Sequence, residues 1–288
     1  MLTTIRGTLP LGVLGSVFAA MFFLAPAAVT HGEDVSYADS VIAPLRDAVY
    51  DHTEDRDGIL ALHREALDRI SAEMADGPSR RRAEALAHYY LGRFYQDIKT
   101  VDEMVRYAAD LREGHYLSLR KYYGERDEAM EAYEDAAVEA KLFLEEDPCA
   151  EAHRLYGEIL GQMLIMGDVG DFLSIGKKAH RHIEDALEAD PSLTKALIQE
   201  ASRLAYSPSG YGGDPGKARE LYRAALRTGR GDEEDLFNIY GGFGMAAFME
   251  GKDEEAVSWF REASGIYPGN AFAAGMAEFL ENGTEPAS

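Results

Sequence analysis

The segment Ser209-Gly210-Tyr211-Gly212-Gly213-Asp214-Pro215-Gly216-Lys217-Ala218 has the glycine and lysine content of a phosphate-binding loop. Its spacing argues otherwise. Five residues rather than four separate Gly210 from Gly216, Ala218 stands where a magnesium-binding hydroxyl is needed, and a helical rather than a strand pattern precedes it. The segment reads as a turn between helices, with Gly212 and Gly213 at positive φ, Asp214 as a helix cap and Pro215 in the first turn. Asp55, Asp57 and Gly58 imitate the middle of a calcium loop, but Thr53 takes its first ligand position and Arg64 stands where a bidentate Glu belongs. Asp57 fits better near a helix start, where a carboxylate answers unpaired amides.

The remaining reactive side chains are as sparing. His180 and His182 are two apart on a helix, point to different faces and cannot hold one metal together. The other histidines are scattered, with no His-Glu-x-x-His run, so neither a metal site nor a cofactor is expected. Cys149, the single cysteine, follows Pro148 at a helix start; the helix dipole there lowers a thiol pKa, though a buried, inert thiol is the commoner outcome. No Gly-x-Ser-x-Gly elbow occurs, and no catalytic residue is assigned. Glu145-Glu146 and Glu233-Glu234 read as solvated helix faces. In Tyr89-Tyr90 and Tyr122-Tyr123, neighbours diverge by about 100° on a helix, which gives a groove one ring of each pair and the core the other.

These side chains sit in a chain of 288 residues with 46% hydrophobic content and a formal net charge of −22, from 29 Lys and Arg against 51 Asp and Glu. Such a surplus of carboxylates repels nucleic-acid phosphates and anionic membranes, so neither is an expected partner. Residues 1–27 differ from the rest: Arg6 is their only charge, and an apolar run from Leu9 to Leu24 leads to Ala25-Pro26-Ala27. This reads as a secretory signal cleaved after Ala27, which places the chain in the periplasm or outside the cell. The alternative is an uncleaved membrane anchor. No cysteine follows the run, so an N-terminal lipid anchor is not expected.

Beyond residue 27 strand signals are almost absent, whereas Ala, Leu, Glu and Arg recur at helical spacing. The spacing predicts an all-α chain with helices over 37–52, 55–75, 79–98, 101–123, 127–146, 149–166, 171–189, 192–206, 215–229, 232–250, 253–266 and 270–281. That is twelve helices in six antiparallel pairs. Breaks fall at Asp76-Gly77-Pro78, Asp147-Pro148, Asp190-Pro191, Ser207–Gly210 and Tyr267-Pro268-Gly269. A repeat underlies the pattern. Ala256, Phe260, Ala263 and Pro268 share their spacing with Ala179, Ile183, Ala186 and Pro191, and Ala218, Tyr222 and Ala225 share its first part. Ala136, Ala140, Phe143 and Pro148 make a weaker copy. Upstream stand Leu91-Gly92 with Tyr95, Tyr156-Gly157 with Leu160, and Phe243-Gly244 with Ala247.

On these residues the chain resembles the tetratricopeptide repeat, in which a Gly or Ala on the first helix meets an Ala-aromatic-Ala stripe on the second. The resemblance is strongest over 149–268, within a repeat domain at 79–288 that ends in a capping helix at 270–281; residues 28–78 form an N-terminal helical cap. Tyr211-Gly212-Gly213-Asp214 before Lys217-Ala218 is similar to exported bacterial repeat proteins, including the T components of tripartite ATP-independent periplasmic transporters. The resemblance implies a solenoid that recognises its partner on a concave face lined by the first helices. The residues expected there are Tyr89, Arg93 and Gln96; Arg154, Glu158 and Gln162; Ile198, Ser202 and Tyr206; and Asn238, Met245 and Phe248. The expected function is non-enzymatic binding of a protein or peptide, possible partners including a solute-binding transporter component and a second copy of the chain. The alternative is an apolar or amphipathic small molecule enclosed by Tyr206, Tyr211, Met245 and Phe248.

Overall fold

The computed structural model describes residues 31–167, 172–207, 210 and 212–282. The leader at 1–27 and Tyr211 therefore lie outside the described residues. Among those described there are twelve α-helices, one 3-10 segment and no strand. The helices are α1 (His31–Asp51), α2 (Arg56–Glu73), α3 (Pro78–Gln96), α4 (Val101–Arg112), α5 (Arg126–Glu146), α6 (Ala150–Met166), α7 (Phe172–Ala189), α8 (Thr194–Tyr206), α9 (Pro215–Thr228), α10 (Glu233–Met249), α11 (Asp253–Ile266) and α12 (Ala271–Asn282).

Local chemistry sets most of the ends. Asp55 accepts from the Gly58 amide ahead of α2, and Thr100 from the Glu103 amide ahead of α4. Asp214 accepts from the Lys217 amide with Pro215 next to it, so the glycine-rich segment is the helix start its spacing predicts. Of its two central glycines only Gly212 has positive φ, at 89°; Gly213 does not. Asp232 and Asp235 exchange side-chain and backbone bonds as a capping box on α10. The helix expected over 101–123 stops at Arg112, because Gly114 turns the chain at φ 79° into the 3-10 segment Tyr116–Tyr122.

That early stop changes the pairing. Helix α1 packs with α2, α6 with α7, α8 with α9 and α10 with α11, but α3 pairs with α5 across the insertion, and α4 packs against α12. Six pairs of consecutive helices were expected; α4 is the one displaced. The hairpins close over small residues. A Cβ on Gly92 would lie 2.5 Å from the Tyr133 ring, and one on Gly244 2.7 Å from the Phe260 ring. On Gly157 it would meet Ile183 Cδ1 at 2.8 Å. Each first helix thus gives up a side chain so that the second can lodge a large one. On α5 the ring that meets Gly92 is Tyr133, within a fully buried Ala129-Tyr133-Ala136 stripe; the expected Ala136, Ala140 and Phe143 are buried as well but do not supply that ring.

The ends of the array also meet. Asn270 Nδ2 donates to the Tyr50 carbonyl at 2.7 Å, and the Gly269 amide donates to Asp51 Oδ1 at 2.7 Å. Arg112 of α4 holds Asp253 through two bonds of 2.9 Å and covers the Phe248 ring at 4.4 Å. Among the described residues no helix is long and apolar enough to cross a membrane.

Candidate functional site

The inner faces of α3, α6, α8 and α10 converge, with α1 laid against α3, on a cluster of charges. Arg154 is 2% exposed and is held by Glu151, at 2.9 Å from Nε, and by Glu158. Arg82 bridges Asp39 at 2.7 Å and Glu151 at 3.3 Å. The Tyr89 hydroxyl donates to Glu158 at 2.9 Å; those of Tyr90 and Tyr50 donate to Glu234 at 2.7 and 3.0 Å. Lys195 reaches Glu234 at 3.2 Å and Asp235 at 2.9 Å, and Arg46 reaches Asp232 at 3.3 Å. The space left among them is about 80 Å³, room for a few waters.

Burial opposes the charge on Glu234, yet Lys195, the Tyr90 hydroxyl and Arg46 outweigh it and hold the carboxyl down at about 2. Glu151 sits at about 2 for the same reason, with Arg154 and Arg82 overcoming burial. Burial keeps the Tyr50, Tyr89 and Tyr90 phenols protonated, their pKa values well above the usual 10. Each hydroxyl can therefore serve as a fixed donor to a carboxylate. The cluster sets Arg46, Arg82, Arg154 and Lys195 against a larger number of carboxylates, burial raising Asp235 above the usual carboxylate range, and its bonds tie α1, α3, α6, α8 and α10 together. It does not present an unpaired acid, base or nucleophile to a substrate.

A second titrating group lies between α2 and α3, where the His63 and His88 rings are 5.1 Å apart. Burial, then the neighbouring His88, pushes His63 down from 6.5 to about 4, and burial lowers His88. At His63 the unfolded chain takes up its proton near 6.5 and the folded chain only near 4, so this stabilisation is complete above pH 6.5 and lost as pH falls toward 4, and the lowered His88 acts in the same direction. Glu151 and Glu234 are depressed from 4.5 to about 2, which adds a second loss across that lower window. Urea midpoints measured from pH 7 to pH 3 are expected to fall in these two stages. In a His63→Gln variant the upper stage should shrink while the lower one stays.

The residues expected on an open concave face divide into two groups. Tyr89, Arg154, Gln96, Ile198, Met245 and Phe248 are buried; α1 packs on α3, which carries Tyr89 and Gln96, and Arg112 of α4 covers Phe248. Gln96 accepts from the Tyr133 hydroxyl at 2.6 Å and donates to Gln162 at 3.0 Å. Met245 is fully buried, and Phe248 lies against Phe279 under Arg112, so these two side chains pack in the core. Six residues keep some access, of which Glu158 is bonded to Tyr89 and Ser202 to the Tyr222 hydroxyl. Arg93 is half-buried over the Tyr50 ring with Asp97 at 3.2 Å, Gln162 and Asn238 are half-buried, and Tyr206 is 39% exposed beside Phe272.

Sequence reasoning missed Arg82, Glu151, Lys195 and Glu234. Glu233 is exposed as expected, but its neighbour Glu234 is 5% exposed, and Tyr89 and Tyr90 are both interior. The available signal was the capping box at Asp232 and Asp235, which sets the rotation of α10 and turns Glu234 inward. Cys149 stands just ahead of α6 with its thiol pushed up by burial, so it stays protonated.

No protein-family model matches the chain, and no curated protein matches it. Among solved structures the chain is similar to YrrB, described as a TPR protein with an unusual peptide-binding site, at 17% identity over 83% of this chain and 88% of that one, with a TM-score of 0.32. The chain is an all-α array of helical hairpins, and that description stands on the pairings and glycine seams above.

Proposed function

We propose that this chain is a non-enzymatic binding protein of the tetratricopeptide-like class that receives a protein or peptide on the uncovered part of its inner face. The residues assigned to that surface are Arg93, Gln162, Asn238 and Tyr206. One observation carries the reading: Tyr206 remains 39% exposed on a face whose other large side chains are packed away, and Phe272 stands beside it. An aromatic pair flanked by amides and one guanidinium offers apolar contact together with bonds for a peptide backbone. The pairing of every charge in the inner cluster supports binding over acid–base chemistry.

Export follows from the apolar leader, and an accessory role beside a periplasmic solute transporter is the narrower form of the same reading. A photo-crosslinking side chain placed at position 206 is expected to join the chain to a second polypeptide in the producing cell. The same group at Val138, 57% exposed on α5, serves as the control. Equal adducts from both positions, or none from 206, would reject this surface.

A further inference from the structure

Gly157 brings α6 and α7 unusually close: a Cβ there would lie 3.0 Å from the Ala179 carbonyl oxygen and 3.1 Å from His182 Cβ. His153 sits one turn before Gly157 on α6, and His182 sits in the facing stretch of α7. The seam therefore brings together two histidines 29 residues apart, with ring centroids 5.2 Å apart and Nδ1 atoms 3.0 Å apart. Asp185, one turn beyond His182, places Oδ2 3.6 Å from His153 Nδ1. One ligand atom from each of the three residues lies within 4.8 Å of the other two.

We propose that His153, His182 and Asp185 form a zinc site, with two imidazole nitrogens and one carboxylate oxygen on the metal and water in the fourth position. Two nitrogens each ~2.0–2.1 Å from a tetrahedral zinc stand roughly 3.3 Å apart, so the pair needs to open by only a few tenths of an ångström. The three donors are half-buried, the His153 and Asp185 side chains being 23% and 36% exposed, which leaves the fourth position open to solvent. The donors suit a borderline divalent ion better than calcium or magnesium, which favour oxygen ligands throughout. The adjacent cation, Lys178, is held by the Tyr156 hydroxyl at 2.6 Å.

The second group with comparable spacing, Asp110, Glu113 and His115, differs in kind. There Lys121 already stands 2.7 Å from Asp110. Histidines 180 and 182 do diverge as their spacing requires, since His180 faces Glu184 and Glu200. The partner for His182 comes from the other helix of the hairpin, and the register of the Gly157 seam is the signal that locates it.

Titration of the chelator-treated full chain with zinc alone, followed by calorimetry, is expected to show one site per chain and a raised thermal midpoint. Loss of a direct ligand in His153→Ala or His182→Ala should weaken that site by at least ~10–100-fold, the range set by outer-shell partners alone. His180→Ala should leave it unchanged. Cobalt(II) in place of zinc should give the intense visible bands of a tetrahedral nitrogen and oxygen ligand set. His153→Gln, checked by circular dichroism, replaces the alanine variant where alanine loosens the hairpin. Absence of a stoichiometric zinc site in the wild type, or equal affinity in a folded His153 variant, overturns the proposal.

Discussion

Replacing Arg154 with alanine is expected to lower folding stability by about 3–5 kcal/mol, because it strands two carboxylates beside a hole in the interior. Arg154 is 2% exposed and is the shared partner of Glu151 and Glu158, which in turn hold Arg82 and Tyr89. Urea unfolding at pH 7 followed by circular dichroism reads the loss. Arg154→Met combined with Glu151→Gln and Glu158→Gln removes the charges together and should recover much of the stability, since buried ion pairs are often replaceable as sets. If Arg154→Ala shifts the midpoint no more than a surface substitution such as Val138→Ala, the cluster does not hold the hairpins together.

The second large effect is expected at the seam of the last full hairpin. Phe260 is fully buried and its ring occupies the space that Gly244 leaves open, so Phe260→Ala should cost about 3–5 kcal/mol. Gly244→Ala presses a methyl against the same ring and is expected to cost about 1–3 kcal/mol. The two positions should be coupled: Phe260→Leu, harmful alone, should relieve part of the Gly244→Ala penalty. A double-mutant cycle in urea measures the coupling, and strict additivity of the two losses would show that they do not share the seam.

Local features were the most legible in the sequence. Proline breaks, the cap at Asp214, the first-turn carboxylate Asp57 and the Gly244–Phe260 seam each depend on residues within one turn or one hairpin. The α5 stripe was misplaced because its 21 residues carry two sets of small and aromatic positions, and only contact with Gly92 selects Tyr133. Placement of α4 against α12 was not readable. Its apolar face, Met104, Val105, Ala108 and Leu111, names no partner by periodicity alone, and the partner lies some 160 residues downstream. For the same reason the inner face read as open. Its candidate residues were correctly assigned to helices, but which of them the rest of the chain buries depends on packing between distant helices.

The packing of α4 on α12 also bears on how the chain reaches its fold. An open row of repeats can grow hairpin by hairpin from any nucleus and can fray at either end. Here Gly275 of α12 lies against Met104 and the Val101 carbonyl of α4, so that side of the fourth helix stays uncovered until the twelfth has been made, although the following 3-10 segment already packs on Tyr107. During synthesis α4 must wait with part of its apolar face exposed, which favours late, cooperative closure over stepwise growth and makes that interval the one most open to aggregation.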